Sequence, residues 1–231
     1  MQTRHRAVEQ IIEEQARRWE MLRKKKREEA PSPRKAELAI AISRLPGCSS
    51  REIAREIADR RKFDLFDKEI MQKVAENSHL SAALLGTLDE RTLSWAEELV
   101  AALTMPEIEV FFRQLSKVLL ALAYHGNAVI LGRGAGFLIP HDKCLRVMLV
   151  APLEARIENI ARKYKLSSEE AKRRVLQVDS ERRGYVRKYF HADMLDPTSF
   201  DIVLNTADLS IGGASAAIHA AWEDKSRPPL N

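Results

Sequence analysis

The chain has 231 residues, 45% of them apolar and 31% charged, which is enough for a sizeable core. None of its apolar runs reaches the roughly 20 residues that a membrane span needs. Residues 1–36 hold 11 of the 38 Lys/Arg and 6 of the 33 Asp/Glu, so they carry the whole surplus of +5; the high pI belongs to an arm and not to the domain. Cys48 and Cys144 have no metal-ligand spacing and the six histidines are scattered, which argues against a zinc site or a disulfide scaffold. The N-terminus has no apolar core of signal-peptide type, and the expected location is cytoplasmic.

The first element expected is a helix from Thr3 to about Glu29, free of Gly and Pro and stopped by Pro31-Ser32-Pro33. With MLRKKKRE near its end, residues 1–35 read as a basic helical arm and linker. They could meet an acidic partner or nucleic acid, or could simply be a solvated helix. Residues 36–224 then form one α/β domain, with 225–231 as a tail. Leu38 to Ile42 reads as a buried strand, and Ile53, Ala54, Ile57 and Ala58 recur at helical spacing after it. Phe63 to Asp67 is a short second strand before a helix at Lys68–Ala75. Ser78 to Met105 reads as one or two short helices, and Pro106 can open a helix from Glu107 to Tyr124. Strands follow at Ala128–Leu131, Leu145–Val150 and Asp201–Leu204. Helices are expected from Pro152 to Tyr164, from a Ser167/Glu170 capping box to Phe190, and over Ile211–Trp222. Alternating strands and helices imply a parallel sheet covered on both faces.

The strand, small-residue loop and helix at Ile40–Ala58 form a context in which loop amides and a helix N-terminus can point at one anion. The loop is Pro46-Gly47-Cys48-Ser49-Ser50-Arg51. Cys48, beside that helix N-terminus, is expected to have a lowered pKa, the plainer reading being a small residue that fills the loop. Further along, Gly132-Arg133-Gly134-Ala135-Gly136 follows a buried strand. It is not a dinucleotide fingerprint, because its spacing differs and no helix-opening signal follows. Asp179, Arg182 and Arg183 lie three and four apart, so on a helix the carboxylate could hold either guanidinium.

Four segments in this order resemble the cytidylate kinase-like family of P-loop nucleoside-monophosphate kinases. They are ISRLPGCSSREIA, FDLFDKEIM, NAVILGRGAGFLI, and RVMLVAPLEARIENI running on to VDSERRGYVRKYF and FDIVLNTADLSI. The resemblance implies a three-layer α/β/α P-loop domain with a helical lid that transfers phosphate from ATP, with Mg²⁺, to a CMP- or dCMP-like acceptor. It implies donor-phosphate contacts from Gly47, Cys48, Ser49, Ser50 and Arg51, with Arg51 in place of the usual lysine and a serine hydroxyl, Ser50 or Ser49, on the loop or the magnesium. Arg133 would clamp the acceptor phosphate, Asp67 would lie near the acceptor, and Asp179 would support Arg182 and Arg183 on the transferring group. Asn205 and Thr206 would lie against the donor base. Each has a plainer alternative: a first-turn arginine for Arg51, a helix N-cap for Asp67, a surface turn for Arg133 and an ion-paired helix for Asp179–Arg183.

The loop departs from the family's G-S-G-G-R, with Ser49 and Ser50 at its last two glycines, and is tolerated if both serines keep negative φ. Gly134 stands where bacterial cytidylate kinases have an aspartate that helps to read cytosine. The other function consistent with these residues is a kinase-like domain without turnover, acting as a nucleotide-sensing or regulatory module. The glycine-poor loop favours that alternative, and the retained Arg51, Arg133, Arg182 and Arg183 favour the enzyme.

Overall fold

The computed structural model describes residues 14, 17, 21, 37–76, 78–86, 88, 90–103 and 110–227. Glu14, Arg17 and Met21 are helical and exposed. The rest of the arm, its expected acidic or nucleic-acid partner and Pro106 lie outside the described residues. Two compact units are present: residues 37–65 with 126–227, which carry the sheet, and residues 66–125, which are helical.

The sheet has five strands, β1 (Ala39–Arg44), β2 (Asp64–Phe66), β3 (Ala128–Leu131), β4 (Cys144–Val150) and β5 (Ile202–Asn205). Their order is β2-β3-β1-β4-β5. β1 runs parallel to both β3 and β4, with Ile42 level with Leu131 on one side and Val147 on the other; β5 runs parallel to β4. The strands read as unbroken apolar runs because both faces are covered. Ile40, Ile42, Val129, Leu131, Leu145 and Val147 lie in one core cluster, and the alternate residues Ala39, Ala41, Ile130 and Cys144 are just as buried.

Helix α1 (Ser50–Arg61) lays Ile53, Ala54, Ile57 and Ala58 on that core. It ends at Lys62, whose left-handed backbone returns its N–H to Ala58 and Asp59. The last helix of the sheet unit, residues Ile211–Lys225, adds Ala214, Ile218 and Trp222 to the same core. Trp222 donates its indole N–H to Leu38 O at 2.8 Å and meets the Phe63 ring edge-on. The helical unit holds α2 (Lys68–Glu76), α3 (Ser78–Leu85), α4 (Glu90–Leu103) and α5 (Val110–His125), so the described part of the Ser78–Met105 stretch forms two helices, α3 and α4. Ser81 ties α3 to α2 through Val74 O, and Lys117 pairs with Glu97 between α5 and α4.

After β3 a single turn of helix, α6 (Ala135–Leu138), opens from a left-handed Gly134. The turn begins inside the GRGAG segment and has no side-chain cap, in line with the missing helix-opening signal. Helix α7 (Leu153–Tyr164) starts after Pro152, and α8 (Ser168–Phe190) opens on the expected capping box. There Glu170 N donates to Ser167 Oγ at 3.3 Å and Ser167 N to Glu170 Oε2 at 2.9 Å. The first half of α8 shares a small core with α7, made of Ile160, Ala171 and Val175, while Val186 joins the main core. The helix Ile211–Lys225 is α9. No helix among the described residues is long and apolar enough to cross a membrane.

Candidate functional site

In a parallel sheet the segments that leave the strands all emerge at one edge, the edge where open α/β sheets bind ligands. Here that edge gathers residues 45–49 after β1, 132–134 after β3, 151–152 after β4 and 206–210 after β5. The first of these turns sharply, with φ of 87° at Gly47 and 45° at Ser49. A Cβ on Gly47 would lie 2.6 Å from the backbone oxygen of Arg156, so only glycine fits against α7. Asn159 of α7 donates to Gly47 O at 2.9 Å and holds the turn from the same side.

Ser49 is the N-cap of α1, exposed and left-handed, and its hydroxyl caps nothing. The condition that both serines keep negative φ is therefore met by Ser50, already helical, and not by Ser49. A non-glycine residue there costs about 1–2 kcal/mol. Cys48 also departs from expectation. It is 1% exposed within the core, and burial pushes its thiol pKa up against the opposing bond to Thr206 and the charge of Arg156. Because it faces the core, it is a small packing residue and not an activated thiol.

Behind the loop sits a buried ion pair. Arg156 Nη1 donates to Asp179 Oδ2 at 2.9 Å, with side chains 7% and 8% exposed, and Arg156 Nε donates to Ala151 O. Asp179 therefore does not hold Arg182 or Arg183, as helical spacing suggested; it reaches across to α7. Its other oxygen, Oδ1, is buried with no hydrogen-bond partner. Arg182 instead donates from Nη1 to Arg44 O, at the end of β1, at 2.8 Å. Burial pushes its pKa below the ordinary arginine value, with the charge of Asp179 opposing. Arg183 and Arg51 are exposed, the latter on the first turn of α1.

The second loop has three left-handed residues in a row, Gly132 (88°), Arg133 (57°) and Gly134 (73°). A Cβ on Gly132 would collide with the Arg44 guanidinium, and one on Gly134 with the Phe190 ring. Arg133 is half-buried and its carbonyl accepts from Tyr185 OH at 3.4 Å; burial raises the Tyr185 pKa to about 12. Phe190 stacks on Phe137 at 5.9 Å, so the C-terminal end of α8 packs on this loop. At the end of β5, Thr206 N and Oγ1 both donate to Val150 O, at 2.8 and 3.3 Å. Asn205 turns its side chain back to Ala207 N.

The sheet edge thus brings together Gly47–Ser50, Arg133, Asp179, Arg182 and Thr206. Asp67 lies at the start of the helical unit, where it caps α2 by accepting from Glu69 N at 3.1 Å. Sequence reasoning missed Arg44, Arg156 and Asn159. A signal existed for Arg156: it falls among Leu153, Ile157 and Ile160 on the apolar face of α7, and Asp179 continues the Ala171, Val175 stripe of α8. Matched opposite charges on two apolar stripes announce a buried pair.

Taken together, a parallel sheet in this order and a tight loop after β1 running straight into a helix define a three-layer α/β/α P-loop fold. The sequence pattern of the cytidylate kinase-like family matches residues 39–208, and the chain belongs to that family. Cytidylate kinase of Pyrococcus horikoshii is 26% identical over 189 residues, covering 81% of this chain and 89% of its own. That of Thermococcus sibiricus is 30% identical over 185 residues, covering 80% and 87%. Among solved structures, an uncharacterized protein from Eubacterium ventriosum superposes with a TM-score of 0.67 at 17% identity, covering 81% of this chain and 99% of that one.

Proposed function

We propose that the chain transfers the terminal phosphate of ATP to a nucleoside monophosphate, with CMP or dCMP as the acceptor. The observation that carries this reading is the convergence of Arg133, Arg156 and Arg182 at the sheet edge beside the Gly47–Ser50 turn. Three cations, Arg156 buried and the other two half-buried, lie beside a loop whose helix opens there. Phosphoryl transfer asks the protein for positioning and charge neutralisation, not covalent chemistry. Amides of Gly47–Ser50 and the Arg51 guanidinium would hold the donor phosphates, and Asn205 and Thr206 would border the donor base. Arg133 would take the acceptor phosphate, and Arg182 and Arg183 the transferring group. Asp67 is assigned to the acceptor side by resemblance alone. Asp179, buried beneath Arg156, acts by keeping that cation in place.

A Mg²⁺ carried by the nucleotide suits these residues. Ser50 opens α1 with a hydroxyl oxygen, and magnesium takes most of its ligands from phosphates and water. When bound, it neutralises charge on the donor phosphates. The second reading, a nucleotide-sensing module without turnover, is favoured by one observation, the strained left-handed Ser49 at a family glycine.

A calorimetric titration with MgATP followed by a coupled assay over a panel of monophosphates separates the two. Micromolar binding with CMP-dependent ADP release is the expected result. Binding without release for any acceptor would leave the sensing module. No heat at millimolar MgATP would overturn both.

A further inference from the structure

The mechanism above leaves Arg44 unused, although three parts of the site meet on it. It is the last residue of β1, the central strand, level with Leu149 of β4, and the donor loop begins at the next residue. Its backbone carbonyl is the acceptor for Arg182 of α8. Its guanidinium lies over the second loop: a Cβ placed on Gly132 would have Arg44 Cζ 2.8 Å and Nη2 3.2 Å away, with Nη1 closer still. Gly132 N donates to Ile42 O at 3.0 Å, which fixes that loop on the end of β1. Gly132 is thus left bare of a side chain where an arginine head group rests, immediately before Arg133.

We infer that Arg44 is a second phosphate-binding residue on the acceptor side, its forked guanidinium sharing with Arg133 the phosphomonoester of the incoming nucleotide. The geometry suits this role because a guanidinium can bond two oxygens of one phosphate in a plane. An arginine at the end of a central strand is positioned by the sheet, which is more rigid than a loop. Its carbonyl meanwhile holds Arg182, so the residue that grips the acceptor also seats the arginine assigned to the transferring group. The inference rests on the phosphotransfer reading for its ligand.

The test compares wild type with Arg44→Met, Arg44→Lys and Gly132→Ala, alone and combined, with circular dichroism to confirm the fold. Arg44→Met should raise the KM for CMP about 10- to 100-fold, the loss of a charge-assisted bond, and the KM for ATP less than about threefold. Lysine should restore part of the loss. Gly132→Ala should push the guanidinium aside and raise the CMP KM in the wild type, while the left-handed strain at position 132 lowers Tm in both backgrounds. A merely structural Arg44 would lower Tm without splitting the two KM values. An unchanged CMP KM in Arg44→Met overturns the inference and leaves the function standing. If wild type shows no turnover, calorimetry with CMP decides: binding weakened about 10- to 100-fold by Arg44→Met keeps Arg44 and sinks phosphotransfer. No CMP binding by wild type overturns both.

Discussion

The two loops at the sheet edge solve the same problem differently. The loop after β3 spends glycines at two of its three left-handed positions, and each bare Cα carries a large side chain, Arg44 on Gly132 and Phe190 on Gly134. The loop after β1 has one glycine, pressed on the Arg156 backbone, and puts a serine in the other left-handed place. The comparison shows which glycines are irreplaceable. Gly47 and Gly134 are required by contact as well as conformation and Gly132 by conformation beneath the flexible end of Arg44, whereas position 49 needs only the conformation and is exposed. A side chain survives there at the cost of strain alone.

The largest effect is expected where the first loop is supported. Asp179→Ala strands the buried Arg156 charge and should cost about 3–5 kcal/mol in chemical denaturation. A loss below about 1 kcal/mol would mean that water reaches the pair. Gly47→Ala combines left-handed strain with collision against backbone and should cost about 2–4 kcal/mol. If a denaturation midpoint scarcely moved, the loop would be looser than the Gly47–Arg156 contact implies.

Away from both loops, Cys144 provides a reference for the body of the sheet. Burial raises its pKa from 9.0 to about 11. The unfolded thiol ionises first, so the stability it contributes is complete below about pH 9 and disappears between pH 9 and 11. Wild type should therefore lose about 2–3 kcal/mol more than Cys144→Ala across that window; parallel curves would refute the burial effect. The smallest effects sharpen the contrast. Ser49→Gly should stabilise by about 1 kcal/mol, whereas Ser50→Gly, inside α1, should destabilise by about 0.5–1 kcal/mol. Thermal melts with the same sign for both would show that the loop does not distinguish the positions.

Much of the fold was legible because it is local. Unbroken apolar runs located β1, β3 and β4, and Ser167 with Glu170 announced α8 within one residue. The site was legible only as positions. That Asp179 would choose Arg156 over its helical neighbour Arg182 depends on how α7 meets α8, and spacing along one helix carries no such information. The left-handed backbone of Ser49 was hidden because serine does not signal φ > 0, whereas the glycines at 132 and 134 do. Arg44 was unreadable for the opposite reason: its significance lies in the missing side chain of a residue far along the chain.

Helix α8 belongs to two cores at once, a small one with α7 around Val175 and the main one around Val186. Cooperativity need not extend through such a helix. The α7–α8 hairpin up to Asp179 rests on few apolar side chains, so its amides should exchange with deuterium through a sub-global opening that leaves the 186–190 segment protected. The boundary falls at the exposed Gly184, which has nothing within 4 Å of where a Cβ would stand. A foldon border there would separate Asp179, which underpins the first loop, from Phe190, which supports the second. Each loop would then be tied to a part of α8 with its own opening free energy.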